Sequence, residues 1–552
     1  MVSHSDAVTS GLLRNTISYS RLPWVRPLVD AVTNHYETVA SLLHGNPADA
    51  ADWQHTIDRV TAAGRDRTAI ADVLEAQLTR RGAPAAALAA ARDLALPGAV
   101  AVVTGQQAGL FGGPLYTLLK AVTTIQLARQ ARERHGVPVV PVFWVDTDDH
   151  DWHEIKTAHV LDREFAVAGI SAAGLPGAGS LPASGLTFND SITATIDELA
   201  AKLPPTEFTS ALLDTLRTHY RTGVSPATAC AAWIDTLLGS EGLVVFEPSD
   251  PAAKQLARAV FSRELSHPCE TARLAREAGD RMASEGHSAQ IVPGDDVVCV
   301  FRMDESGRMP IRCRGTRVTV GDRDASLDDL RAESEAHPER FSPNVLLRPI
   351  VQDTLFPTVC YVAGPSELAY HAQLGGVYDA FGVPAPLVAC RASATLVDSA
   401  ALRFFERSDL VLEELQVQDE SALNRLLARQ MPESVETTFA SIEHMLAIAE
   451  PQLTAAASAV DPTLAGAAET TVTRMRETVK SLQGKILQAS KKKDETLRRQ
   501  FFRTRALVFP DGHPQERLLS IAFFVNRYGP DLGRRLIEAL PPSAAAHYVL
   551  SL

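Results

Sequence analysis

Two polar clusters in this chain stand where alternating strands and helices would place chemistry. Thr104-Gly105-Gln106-Gln107-Ala108-Gly109-Leu110-Phe111-Gly112-Gly113-Pro114-Leu115-Tyr116 follows the apolar run 99–103 and precedes a helical pattern from Leu115 to about Arg134. A strand feeding a glycine-rich turn that opens a helix brings backbone N–H groups and a helix N-terminus to an anion. Two side-chain amides add donors and acceptors for a polar small molecule. The expected substrate-binding set in this turn is Gln106, Gln107, Gly109, Gly112, Gly113 and Tyr116. The second cluster, Trp144 to Glu154, follows the apolar run 137–145 and holds four aspartates, two histidines and a glutamate within nine residues. Asp148, Asp149 and His150 are the expected catalytic residues, orienting an amine or a ribose and supplying a base. A Zn or Mn site is one alternative, and acids that merely favour a helix N-terminus are the other.

A third group comes late in the chain. In Ser342-Pro343-Asn344-Val345-Leu346-Leu347-Arg348-Pro349 a lone arginine sits among apolar residues and needs a carboxylate or an anionic substrate. Gly364, Ser366 and Glu367 follow the strand-like run 358–363, where helix capping and ligand contact are equally good readings. Arg391 and Ser393 follow a further run, 386–390, as a weaker phosphate or carboxylate site. Asn344 and Arg348 therefore join Gly364, Ser366, Glu367, Arg391 and Ser393 as candidate substrate contacts.

These residues need a scaffold, and the pattern supplies one. Apolar runs near 99–103, 137–145, 242–246, 358–363 and 386–390 alternate with helical stretches, which predicts an α/β fold with a doubly wound parallel sheet. Pro138 and Pro141 weaken the start of the second strand. Short strands at 297–303, 310–313 and 317–320 read as an inserted antiparallel element. The expected organisation is a helical segment 1–95, a first core half 96–160, insertions with one core strand 161–340, a second core half 341–400, a helical hairpin 401–510 and a terminal segment 511–552. Within the hairpin, Val435, Phe439, Ile442, Leu446, Ala449 and Leu453, then Val472, Met475, Val479, Leu482, Ile486 and Ala489, step by three and four. Those are two heptad seams around a break containing Pro462, and their leftover apolar surface calls for a second subunit. Lys491-Lys492-Lys493 with Arg498 and Arg499 reads as a solvated face rather than a phosphate patch.

Composition narrows the function classes. The 552 residues are 45% hydrophobic and carry a net charge of −13, enough for a large core and without general attraction to nucleic acid or anionic membranes. The polar start lacks the apolar core of a secretory signal, and six dispersed cysteines without a CxxC pair read as reduced thiols in a cytoplasm.

Four segments, VTGQQAGLFGGPLYTLLKA, PVFWVDTDDHDWHEI, SPNVLLRPIVQDTLFPTVCYVAGPSELAYHAQL and FPDGHPQERLLS, together resemble the bacillithiol-biosynthesis cysteine ligase family. The resemblance implies a Rossmann-like core related to class I aminoacyl-tRNA synthetases, connecting-peptide insertions and a coiled coil that makes a homodimer. It also implies a reaction, amide formation between cysteine and glucosaminyl-malate. No HIGH or KMSKS motif is present, nor a Cys/Cys/His zinc set, so no resident metal is expected and ATP stays an open candidate. The other enzyme readings are a nucleotidyltransferase on the same fold and a metal-dependent amide hydrolase. A non-enzymatic coiled-coil scaffold is disfavoured by polar clusters at three strand ends.

Overall fold

The structure, a computed structural model, describes residues 14–429, 433–493, 495–542 and 545–552. The chain forms two compact units, one ending at Leu396 and resumed by Pro514–Leu552, the other Val397–His513.

The centre of the first unit is a five-stranded parallel sheet of β1 (Val100–Gln107), β2 (Val139–Asp146), β3 (Val244–Phe246), β4 (Thr358–Ala363) and β5 (Leu387–Cys390), in the order β5-β4-β1-β2-β3. Strands buried on both faces need continuous apolar sequence, which Val100–Val103, Val139–Val145 and Val359–Ala363 provide. Pro141 is tolerated because β2 pairs with β3 only from Val142 onward, leaving the proline's missing N–H without a ladder partner to disappoint. Chain order reverses between β1 and β4, and the carboxyl ends of those strands frame the opening where such sheets hold ligands.

The helix α1 (Leu115–His135) crosses from β1 to β2 and is buried along most of its length. Between β3 and β4 the chain adds a five-stranded antiparallel sheet that includes Val297–Asp304, Gly307–Arg314 and Arg317–Val320, as the sequence pattern predicts, and also Arg323–Ala325 and Phe341–Pro343. A two-stranded antiparallel pair, Thr157–Leu161 with Val167–Ser171, is an element the apolar runs do not mark.

The second unit contains two long helices, Glu433–Val460 and Ala465–Lys493, joined by the short turn Pro462–Leu464. They form the expected hairpin, with Arg476 bridging to Glu450 at 2.6 Å. Phe439 and Val472 are buried, whereas Met445, Ile448, Leu453, Met475 and Leu482 remain exposed in the single chain. The side chains of Lys491–Lys493 lie outside the described residues; Arg498 pairs with Glu420 at 3.3 Å.

The terminal segment returns to the core through a buried polar latch. Strand His547–Ser551 lies between Arg14–Ile17 and Ser393–Val397. Glu516 accepts from Arg391 at 2.7 Å, from the Ser393 hydroxyl at 3.1 Å and from the Ala394 N–H at 2.9 Å. His547 meets Ser393 and Thr395 through its two ring nitrogens, at 2.8 and 2.9 Å. Burial pushes the His547 imidazole down to about 4 from the ordinary 6.5, against the opposing pull of Glu516. The folded chain therefore keeps this histidine neutral while an unfolded one takes up a proton, so acidification from about pH 6.5 to about 4 favours unfolding. Denaturant titrations across that window should show a loss on the order of 3 kcal/mol that His547→Gln removes. An equal loss in the variant would assign the acid sensitivity to other groups.

Candidate functional site

At the carboxyl edge of the sheet, beside the reversal between β1 and β4, lies a cavity of about 490 Å3. Its floor is organised by Lys120, one turn into α1 and buried. The Lys120 ammonium donates to the Gly105 carbonyl at 2.6 Å and to Gln106 Oε1 at 3.0 Å, and pairs with Glu367. Burial pulls its pKa down and Glu367 opposes that pull. Glu367 also accepts the Gly364 N–H at 2.7 Å and the Tyr361 hydroxyl at 2.9 Å. That carboxylate, not the Ser366 hydroxyl, caps the short helix after β4.

Arg348 forms the next part of the network. Its guanidinium donates to Gln352 at 3.0 Å, Tyr370 at 3.1 Å and Tyr361 at 3.3 Å, and lies over the rings of Trp144 and Tyr361. All these partners are neutral, so a buried positive charge faces the cavity without a countercharge in hydrogen-bond range. His371, stacked between Tyr361 and Tyr370, is held neutral by burial and by the nearby Arg348 and Lys120. Asn344 caps the helix that carries Arg348, its oxygen accepting from Leu346 and Leu347 at 3.0 and 3.1 Å.

The acidic wall comes from the end of β2 and the loop after it. Asp148 is buried and paired with Lys254, which also donates to the Phe341 carbonyl at 3.0 Å. Asp149 lies 3.4 Å from Arg308, an arginine of the antiparallel sheet stacked on Phe301. Asp146, the last residue of β2, lines the cavity, and burial followed by repulsion from Asp149 pushes it up to about 6. Among the described residues, no three His, Cys, Asp or Glu side chains converge as metal ligands would.

Of the residues singled out by sequence, the cavity brings together Gln106, Gln107, Tyr116, Asp148, Asp149, Asn344, Arg348, Gly364, Ser366, Glu367 and Arg391. Arg391 reaches it with its charge already matched by Glu516. His150 stands outside the lining, its Nδ1 3.4 Å from Asp149. Ser393 is turned away into the terminal latch. The glycine turn departs furthest from expectation. Gly109, Gly112 and Gly113 do not line the cavity. Phe111 is fully buried, with its ring 5.1 Å from Tyr220 and its carbonyl accepting from Trp233. The first N–H of α1 is taken by the Leu519 carbonyl at 2.9 Å, so the terminal segment occupies the place where an anion would sit.

Sequence reasoning missed Asp146, Lys120, Arg308, Tyr361, Tyr370 and Arg517, all of which line the cavity. A signal existed for two of them. Lys120 interrupts an otherwise apolar helix stretch, Leu118-Leu119-Lys120-Ala121-Val122, and Asp146 ends a buried strand. Arg308, Tyr370 and Arg517 arrive from elements whose approach no local pattern encodes.

Gly112 has φ +92°, and a Cβ there would stand 2.9 Å from Trp233 Cδ1 and 3.1 Å from Ile521 Cδ1. Gly112→Ala should therefore cost about 1–3 kcal/mol of stability, read by denaturant unfolding, with ligand affinity of the folded fraction unchanged. Affinity lost at unchanged stability would return the turn to the binding site.

Comparison with known proteins adds the family context. Models of the "Bacillithiol biosynthesis BshC, N-terminal Rossmann-like domain" and the "Bacillithiol biosynthesis BshC, C-terminal coiled-coil domain" match residues 14–392 and 394–552. Proteins named "Putative cysteine ligase BshC" are similar over most of their length. The one from Salinibacter ruber is 35% identical, over 91% of this chain and 93% of its own. The one from Symbiobacterium thermophilum is 34% identical over 90% and 93%, and that of Koribacter versatilis 32% over 86% and 88%.

Proposed function

We propose that this chain, which belongs to the BshC family of bacillithiol biosynthesis, is a ligase joining the carboxyl group of L-cysteine to the amine of glucosaminyl-malate, as the last step of that synthesis. The observation that carries the reading is the mixed charge of a cavity at the switch point of the sheet: a buried arginine with only neutral partners faces a carboxylate wall across about 490 Å3. That volume falls in the range of small-molecule sites. A compound with an amine, hydroxyls and carboxylates complements such a lining.

In this reading Arg348, with the exposed Arg517 at the rim, receives the malate carboxylates, since a guanidinium fork matches a carboxylate. Gln106, Gln107 and the Tyr116 hydroxyl offer paired donors and acceptors to the sugar. Asp149, held by Arg308, borders the amine side, and Asp148 keeps that loop in place through Lys254. Chemically, an aspartate of that wall or His150 takes a proton from the bound ammonium, and the free amine attacks the activated cysteinyl carbonyl. The C–N bond forms as the C–O bond to the activating group breaks, that group leaving with the oxygen and the second amine proton passing to solvent. A free carboxylate does not lose its oxygen unaided, so the reaction includes activation of the cysteine carboxyl before the amine attacks. The reaction is one of a cytoplasm, where free cysteine and reduced thiols persist.

Thiol profiling of a strain lacking the gene tests the reading. Glucosaminyl-malate should accumulate and bacillithiol disappear, wild-type protein should restore it, and Arg348→Met should restore about ten- to hundredfold less. Normal bacillithiol in the deletion strain would overturn the assignment.

The hairpin is proposed to make a homodimer through its exposed stripe of Met445, Ile448, Met475 and Leu482. Because Met475 and Leu482 are exposed in the single chain, Met475→Glu/Leu482→Glu should leave its melting temperature intact. Sedimentation at micromolar concentration should show a wild-type dimer and a variant monomer. A monomeric wild type would refute the interface.

A further inference from the structure

Matching the charges around the cavity leaves a remainder. Lys120 is neutralised by Glu367, Arg391 by Glu516, Asp148 by Lys254, and Asp149 faces Arg308. Arg348 has neutral partners only. The Asp146 carboxylate, among the described residues, has neither an ion-pair nor a hydrogen-bond partner, with Arg308 and Arg348 acting on it only at longer range, although it lines the cavity. One carboxylate therefore faces the same cavity as the buried Arg348 guanidinium and the more exposed Arg517, none of them in an ion pair among the described residues.

Two further orphaned atoms lie on the wall that Asp146 belongs to. The Trp144 indole N–H and Asp148 Oδ1 are buried without hydrogen-bond partners, on residues 1% and 3% exposed. Trp144 and Asp146 stand two apart on β2, so their side chains leave the strand on the same face. Unmade hydrogen bonds of this kind are disfavoured unless a ligand makes them. The acceptors are carboxylate oxygens, which an ammonium, with three donors and a positive charge, satisfies together, whereas the indole N–H calls for an oxygen of the same ligand, such as a sugar hydroxyl.

Resting on the ligase reading above, we propose that Asp146 is the residue that recognises the attacking amine, holding it as an ammonium against the end of β2 while Arg348 holds a carboxylate of the same molecule. The cavity then selects an amino sugar that also carries carboxylates, and it rejects the same skeleton once its nitrogen is acylated. An amide nitrogen brings no charge and at most one hydrogen to that wall, and its acyl group needs space beside Trp144. The charged groups acting on Asp146 are Asp149 and Asp148, which disfavour its ionisation, and Arg308 and Arg348, which favour it; burial outweighs each of them. Its pKa of about 6 in the free chain keeps the carboxylate ionised at neutral pH. Selection for the amine is complete above that value and lost as pH falls through it.

Isothermal titration of glucosaminyl-malate and of its N-acetyl derivative at pH 7 tests this, with the wild type, Asp146→Asn and Arg348→Met compared. The wild type should prefer the amine by about ten- to hundredfold, with the preference fading below about pH 6. Asp146→Asn, nearly isosteric and relieved of a buried charge, should keep its melting temperature and bind both compounds alike at every pH. Arg348→Met should weaken both equally and retain the preference. An amine preference undiminished in Asp146→Asn overturns the role of Asp146 and leaves the ligase reading standing. A wild type that binds neither compound overturns both.

Discussion

The buried ammonium of Lys120 ties the structure together at its weakest topological point. Where strand order reverses, β1 and β4 lie side by side, but their outgoing chains diverge to opposite faces of the sheet. Lys120 grips the Gly105 carbonyl at the end of β1 and Glu367 just after β4, and Glu367 extends the grip to Gly364 and Tyr361. Tyr361 then accepts from Arg348 while donating to Glu367. A cation removed from water at this depth is tolerable only because every donor finds an oxygen. The same chain of bonds fixes the orientation of the Arg348 guanidinium.

A second constraint comes from the far end of the sequence. Residues 514–552 rejoin the first unit, place Leu519 over the start of α1 and set Glu516 against Arg391. This segment converts two apparent anion sites into structure. The glycine turn, with its positive φ at Phe111, Gly112 and Gly113, buries Phe111 instead of cradling a phosphate. Arg391, buried and matched, shapes the cavity without adding net charge to it. The positive charge that the cavity lining leaves outside ion pairs, among the described residues, is that of Arg348 and Arg517, with amides and acids around them.

Much of this was legible in the chain itself, for local reasons. The apolar runs at 99–103, 137–145 and 358–363 are long enough to require burial on both faces, which fixes a parallel sheet and hence a site at its carboxyl edge. Gln106, Asp149 and Glu367 were identifiable because each follows such a run, and strand ends are where a sheet's ligand sits, while Asn344 and Arg348 stood out because a lone arginine in an apolar stretch needs a partner. The hairpin was legible for a similar reason, since a three-four spacing survives whatever the helices pack against.

Tertiary structure decided which polar residues stay available. Sequence supplies the charges at Asp148, Arg391 and Arg348 but cannot say that Lys254 and Glu516 arrive to match the first two and that, among the described residues, no acid comes within ion-pair distance of the third. Those partners lie more than a hundred residues away, and ion pairing depends on a few ångströms of separation that no local pattern encodes. The same holds for the glycine turn: its composition permits a phosphate loop or a packed corner equally, and the choice fell to Trp233 and Ile521, brought against it from distant helices.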